Sequence, residues 1–349
     1  MPPARAPGNL LRIADPSGTL LMANSIRRIL VAIRDLHHPS RAELRKAAEF
    51  ARAANASVEL FHAVDIPIRT NRAAAAVPAG MTTKLVLAKL RSAERRLRQI
   101  SRLSCFRGVE MTYHSSADYP PPAAVVRRAE RIGADLVIAA AHKHGFAHRV
   151  FLKNTDKELI RQCPCPLLLV KSIRSYSGSV VLAAVDPFHA HAKPADLDVL
   201  LLQMGNTLAH LFKGSLHVVH AYAPLLGMVP LPTAMAIPAI APPDAEQAHA
   251  ELIANELSSL ATGAGVPPQA CHLRMGVIAS ELCAVARDTH ASLVVMGAVS
   301  RSALRRIFLG STAETVLDDL KCDVLVLKPR GFRSAVGTRT STGGSRQAA

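Results

Sequence analysis

The sequence is short of most features that would announce a class. Aromatic residues make up 4% of its 349 positions, too few for a platform on which nucleic-acid bases could stack. No apolar run reaches the roughly 18 residues needed to span a bilayer. The first 25 residues lack an apolar signal core followed by a small-residue cleavage site, so the reading is a cytoplasmic chain without a membrane span. Six cysteines, Cys105, Cys163, Cys165, Cys271, Cys283 and Cys322, are scattered with no disulfide framework. His142-Lys-His144 and His189-Ala-His191 could begin a zinc site, but no third or fourth ligand follows at a useful interval, and no metal site is expected. There is no Gly-x-Ser-x-Gly elbow, no full GxxxxGK[ST] loop and no paired carboxylates that stand out. No residue is assigned a catalytic role on these grounds.

Acids are also in deficit, and unevenly so. The formal charge is +16. Residues 29–175 carry 25 basic and 12 acidic side chains, a balance of +13, whereas residues 176–329 carry 9 and 13, a balance of −4. A basic half can signal affinity for nucleic acid or an anionic membrane, or be only a solvated surface. With so few aromatics, nucleic acid is not expected as a partner.

What the chain does have is apolar content and a repeat. Hydrophobic residues are 49% of the total, enough for substantial cores, and the length suggests two domains. Residues 134–171 align without gaps on 291–328, and eleven of the 38 positions are identical; chance at ordinary composition gives about two or three. A period this long means duplicated domains. Residues 29–33 (ILVAI) likewise echo 180–185 (VVLAAV).

Each half alternates strand and helix patterns. Strands are expected at 29–33, 57–64, 109–114, 136–141 and 166–170, with helices at 40–53, 82–103, 123–132 and 156–162. The second half repeats this with strands at 180–185, 216–221, 271–275, 293–296 and 324–327 and helices at 196–211, 244–262, 280–289 and 312–320. This predicts an α/β fold, two tandem units, each an open five-stranded, mostly parallel sheet flanked by helices. The expected boundaries are a disordered N-terminal extension over 1–25, domains over 26–174 and 175–330, and a disordered basic tail over 331–349. Residues 223–243 read as a long apolar, proline-rich loop: a lid, a hydrophobic-ligand surface or an interface.

The stretch 291–329 organises the second half: a short apolar strand, a loop opening at Gly297, a helix opening at Gly310-Ser311-Thr312, and a last strand closed by Pro329. Unpaired N–H groups and the helix dipole favour an anion at such a helix start, although the same residues also make an ordinary N-cap.

This segment resembles the nucleotide-binding signature of the universal stress protein family: glycine, two residues, glycine, nine residues, then Gly-Ser or Gly-Thr. Here it stands as Gly297, two residues, Ser300, nine residues, Gly310-Ser311, with serine in place of the second glycine. The chain as a whole resembles the tandem-domain members. The resemblance implies ATP or a related nucleotide, with Mg at most accompanying it, bound by Asp186, Ala221, Met296, Gly297, Ser300, Gly310, Ser311 and Thr312. A carboxylate such as Asp186 at a strand's carboxyl end can accept from an adenine amino group or a ribose hydroxyl. In the first half, the corresponding positions are Arg34, Ala140, Lys143, Lys153 and Asn154, so that half reads as degenerate. Of His217 and His220, one is expected to face the core. The implied function is a stress-response binding module with protein partners in signalling, the two halves forming a pseudo-dimer through their last strands, and homodimerisation open. A hydrophobic-ligand or protein-interaction module and a slow ATPase stand as alternatives.

Overall fold

The computed structural model describes residues 26–64, 79–141, 154–188, 196–230, 236–240, 242–298 and 311–336. The first half runs β1 (Arg28–Ala32), α1 (Arg41–Ala54), β2 (Ser57–Ala63), α2 (Ala79–Ser101), β3 (Met111–Ser116), α3 (Pro121–Ile132), β4 (Leu136–Ala140), α4 (Asn154–Gln162) and β5 (Leu167–Val170). The second runs β6 (Val180–Ala184), α5 (Asp196–Leu211), β7 (Ser215–Tyr222), β8 (Leu226–Pro230), β9 (Ala236–Ile240), α6 (Pro243–Gly263), β10 (Cys271–Met275), α7 (Ile278–Asp288), β11 (Leu293–Gly297), α8 (Ser311–Asp319) and β12 (Asp323–Leu327). The proposed extension over 1–25 and residues 337–349 of the proposed tail lie outside the described residues.

The two expected five-stranded sheets are one. Ten strands lie in the order β10-β7-β6-β11-β12-β5-β4-β1-β2-β3. Every neighbouring pair is parallel except β12 and β5, which meet antiparallel with Val324 opposite Leu169 and Val326 opposite Leu167. Successive residues of each strand feed opposite faces. Ile29, Val31, Ile138, Leu293 and Val295 join the core under α1 and α5, while Leu30, Val137, Ala139, Val294 and Met296 join the core under α3, α4, α7 and α8.

Local signals explain the helix ends. The Ser40 hydroxyl accepts from the Glu43 N–H at the start of α1, and Asn55 ends that helix in the left-handed conformation, which asparagine tolerates. Gly133, with φ +60°, does the same for α3.

Two differences from the sequence reading have physical causes. Strand three begins at Met111 rather than at residue 109, because Gly108 turns with φ +77° and the Val109 N–H donates back to the Phe106 carbonyl. The strand then extends through Ser115 and Ser116, opposite His62 and Ala63. The 223–243 segment is not wholly loop. β8 and β9 pair antiparallel, Leu226 opposite Ile240 and Pro230 opposite Ala236; a two-stranded ribbon has only outer edges, where proline is tolerated.

The halves are stitched together by reciprocal lysines. The Lys171 ammonium, which follows β5, donates to the Leu317 and Leu320 carbonyls at the end of α8. Its repeat counterpart Lys328, after β12, donates to the Ile160 carbonyl of α4. Each cation sits at the helix end where the dipole is negative, and burial lowers both to about 8.

Candidate functional site

The strand order reverses direction at one place in each half. From β6 the chain moves to β7 and β10 on one side, then crosses to β11 and β12 on the other. A crevice therefore opens over the carboxyl ends of β6 and β11, where open α/β sheets hold ligands. Asp186 lies two residues beyond β6, and its N–H donates to Asp198 Oδ1 in the first turn of α5 at 3.1 Å. Val185 is held from both directions: its N–H donates to the Val219 carbonyl, and His220 Nδ1 lies 2.9 Å from the Val185 carbonyl oxygen. A carbonyl only accepts, so the imidazole carries its proton on that nitrogen. His220 is buried beside Ala221.

Met296 and Gly297 end β11 on the other wall of the crevice, and α8 starts at Ser311, with Thr312 in its first turn. The structure thus brings Asp186, Ala221, Met296, Gly297 and the start of α8 to one end of the sheet. Ser300 and Gly310 lie outside the described residues, as do Lys143, Lys153, His142, His144, His189 and His191. Among the described residues no three His, Cys, Asp or Glu side chains group as metal ligands.

Gly297 has a packing reason that its sequence context does not show. A Cβ built there would lie 2.7 Å from Leu197 Cδ2, and Leu197 is fully buried in α5. Gly297→Ala is therefore expected to destabilise the fold by about 1–3 kcal/mol, the range for overpacking a core. Urea unfolding of the variant measures this; unchanged stability would mean that Leu197 swings aside freely.

The first half repeats the scaffold with different chemistry. His62 Nδ1 lies 2.8 Å from the Ile33 carbonyl, and the strand registers make this pair the counterpart of His220 and Val185. The histidine is thus a duplicated strut that ties the end of one strand to the next. Over β1 and β4 a cavity of about 320 Å³ is lined by Arg34, Glu43, His62, Ala140, Pro121 and Asp156, among others. Glu43 accepts from the Ala140 N–H at 2.9 Å and is 2% exposed. Burial pushes its carboxyl up to about 8 against the opposing pull of that N–H and of Arg34. Asp156, also buried, sits in the first turn of α4, where the second half has Ala313. A carboxylate of the chain thus sits at a helix start that would otherwise favour an external anion.

Sequence reasoning missed Asp198 and Glu43. Both read as ordinary acids in a first helical turn, and their targets, the N–H groups of Asp186 and Ala140, come from other elements. It also left His217 without a role. His217 Nδ1 lies 3.0 Å from His272 Nε2 on the neighbouring strand; burial lowers both imidazoles, and for His272 the neighbouring His217 and Arg274 lower it further.

Comparison with known proteins agrees with this architecture. A family model described as the universal stress protein family matches residues 25–171 and 180–328. Universal stress protein E of Escherichia coli (strain K12) is 29% identical over 221 residues, covering 62% of this chain and 67% of that protein. The crystal structure of a putative universal stress protein from Pseudomonas aeruginosa UCBPP-PA14 has the same fold, with a TM-score of 0.64 at 22% identity over 88% of this chain and 95% of that one. A universal stress protein from Archaeoglobus fulgidus, solved in complex with dAMP, is 22% identical over 41% of this chain and 96% of its own, with a TM-score of 0.26.

Proposed function

This chain belongs to the universal stress protein family, and from that premise we propose that its second half binds ATP or a related nucleotide in the crevice over β6 and β11. The observation that carries the reading is convergence. A carboxylate beyond one strand, a residue without a side chain at the end of the next, and the start of α8 meet at the point where the strand order reverses. In this reading the phosphates lie against the N–H groups of Gly310, Ser311 and Thr312, with Ser300 beside them. Asp186 accepts from the nucleoside, the Ala221 backbone follows the base edge, and Met296 packs under the ring. Any Mg would accompany the phosphates. The domains of this reading are 26–174 and 175–330, and the protein acts in the cytoplasm as a stress-response binding module rather than an enzyme.

The first half takes no nucleotide in this reading, because Asp156 brings a carboxyl group to the first turn of the helix at its crevice and Lys153 replaces the glycine before that helix. Calorimetric titration with ATP and with dAMP is expected to give at most one site per chain; two equivalent sites would contradict it. Gly310→Lys, which copies Lys153, is expected to abolish binding with little change in melting temperature. Asp186→Ala is expected to weaken binding by roughly 1–3 kcal/mol, the worth of a hydrogen bond to a charged group. Unchanged affinity in Gly310→Lys would sink the nucleotide reading.

A second reading, a hydrophobic-ligand module, is favoured by one observation: the first-half cavity has walls from Phe61, Val125, Pro121, Pro122 and Leu159. Native mass spectrometry of the purified protein separates the two by the mass of any retained ligand. Phosphate release on incubation with ATP tests for slow hydrolysis.

A further inference from the structure

We infer that the exposed face of α2 binds the phosphate backbone of nucleic acid without reading its bases. Helix α2 buries Ala93, Leu97 and Ile100 against the sheet. On the opposite face lie Lys84, Arg91, Arg95 and Arg98, followed by Arg102 one turn on, and all five are exposed. Their spacings of seven, four, three and four residues keep them within about 40° of one line at 100° per residue. The stretch from Lys84 to Arg98 covers about 21 Å at 1.5 Å per residue. The helix contains one acid, Glu94, and none of the five cations has an ion pair with an acid among the described residues. Arg96, off this line, is instead occupied by the Leu36 carbonyl and Gln99.

The duplicated half supplies the control. Helix α6 holds the same place between strands β7 and β10, and it contains Asp244, Glu246, Glu251 and Glu256 with no lysine or arginine. The fold therefore does not need a basic helix there, and the stripe belongs to the first half alone. Unpaired like charges on one helix face cost stability, and the single acid Glu94, one turn from Arg91 and from Arg98, forms no ion pair with them among the described residues, so the row calls for a counter-charge of matching length. A linear polyanion provides it, with one phosphate per 3.4 Å of axis on each strand of a duplex. The low aromatic content speaks against stacked bases, and backbone binding requires none.

The test is fluorescence anisotropy of a short mixed-sequence DNA duplex titrated with the full chain at several salt concentrations. Five contacts predict a log–log salt slope of about −4 to −5. The triple variant R91Q/R95Q/R98Q is expected to reduce that slope to about −2, whereas R91K/R95K/R98K, which keeps the charge, should leave it nearly unchanged. Melting temperatures of both variants, measured alongside, check that the fold is kept. No duplex binding by the unaltered chain, or an equal slope in the glutamine variant, would overturn the inference. Binding to phosphatidylserine vesicles in preference to duplex would overturn it in favour of a lipid surface. A stripe-dependent change in oligomeric state without duplex binding would overturn it in favour of the acidic α6 face of a second copy.

Discussion

Asp323→Ala is expected to cost about 3–5 kcal/mol of stability, the range for breaking a buried ion pair by removing one partner. Asp323 opens β12 at the junction of the halves and is fully buried. Its Oδ1 accepts from the Lys171 and Ser172 N–H groups at 2.8 Å, and its Oδ2 accepts from the Tyr176 hydroxyl at 2.5 Å. The ammonium of Lys46, 1% exposed, lies 3.4 Å from the same oxygen and 3.1 Å above the Tyr176 ring. Burial lowers the Lys46 ammonium, and Asp323 is the first of the charges that oppose this. Without Asp323, Lys46 keeps Glu49 at 3.8 Å and the Arg174 carbonyl, and the N–H groups of Lys171 and Ser172 and the Tyr176 phenol lose their acceptor. Asp323→Asn keeps an acceptor oxygen and should cost less. Asp323→Ala combined with Lys46→Met should recover much of the loss, since replacing a buried pair by apolar groups is often neutral. Urea unfolding of the full cycle measures the coupling. A loss below about 1 kcal/mol in Asp323→Ala would mean that water reaches the cluster and that the junction does not depend on it.

The fold was legible because its signals are local. Apolar runs such as Leu136–Ala140 and Leu293–Gly297 alternate with helical spacing, and the 157-residue repeat marks the duplication. Two apolar last strands also point to the join between β5 and β12. The cluster at that join was not legible. Asp323 stands at the head of the run DVLVL, and nothing near it in sequence names Lys46, which is 277 positions away. The same holds for His217, whose partner His272 comes from another strand. Long-range polar pairs leave no local pattern, because each member alone looks like a solvated residue or a stray polar group in a strand.

The site was legible to a different depth. The signature stretch and the end of β6 pointed to one end of the sheet, where the fold places Asp186, Met296 and Gly297. Gly297, however, reads in sequence only as room for a ligand, whereas its missing Cβ also leaves room for Leu197. Likewise the bases of α2 could be counted in the sequence, but their isolation from acids needed the surrounding elements to be in place.

Glu43→Gln is expected to stabilise the protein by several kcal/mol at pH 8 and to do little at pH 4.5. In the unfolded chain the carboxyl titrates near its ordinary 4.5, whereas in the fold burial holds it protonated up to about 8. Between those values the folded state binds the extra proton, so stability falls as pH rises through this window. Below 4.5 both states are protonated and nothing is lost. At about 1.4 kcal/mol per pH unit the full window bounds the cost near 5 kcal/mol, and local relaxation of the site makes roughly 2–4 kcal/mol a better expectation. Glutamine is neutral throughout and keeps an oxygen for the Ala140 N–H, which now bonds Glu43 at 2.9 Å. The measurement is urea or thermal unfolding of both proteins at intervals across pH 4.5 to 8. The expected result is a difference that opens steadily with pH, which no other titrating group can produce, since all others are common to the two proteins. Parallel curves would mean that Glu43 is ionised in the fold at neutral pH. The first-half crevice, which Asp156 also lines, would then hold a full negative charge at Glu43, and its partner would have to be sought among cations.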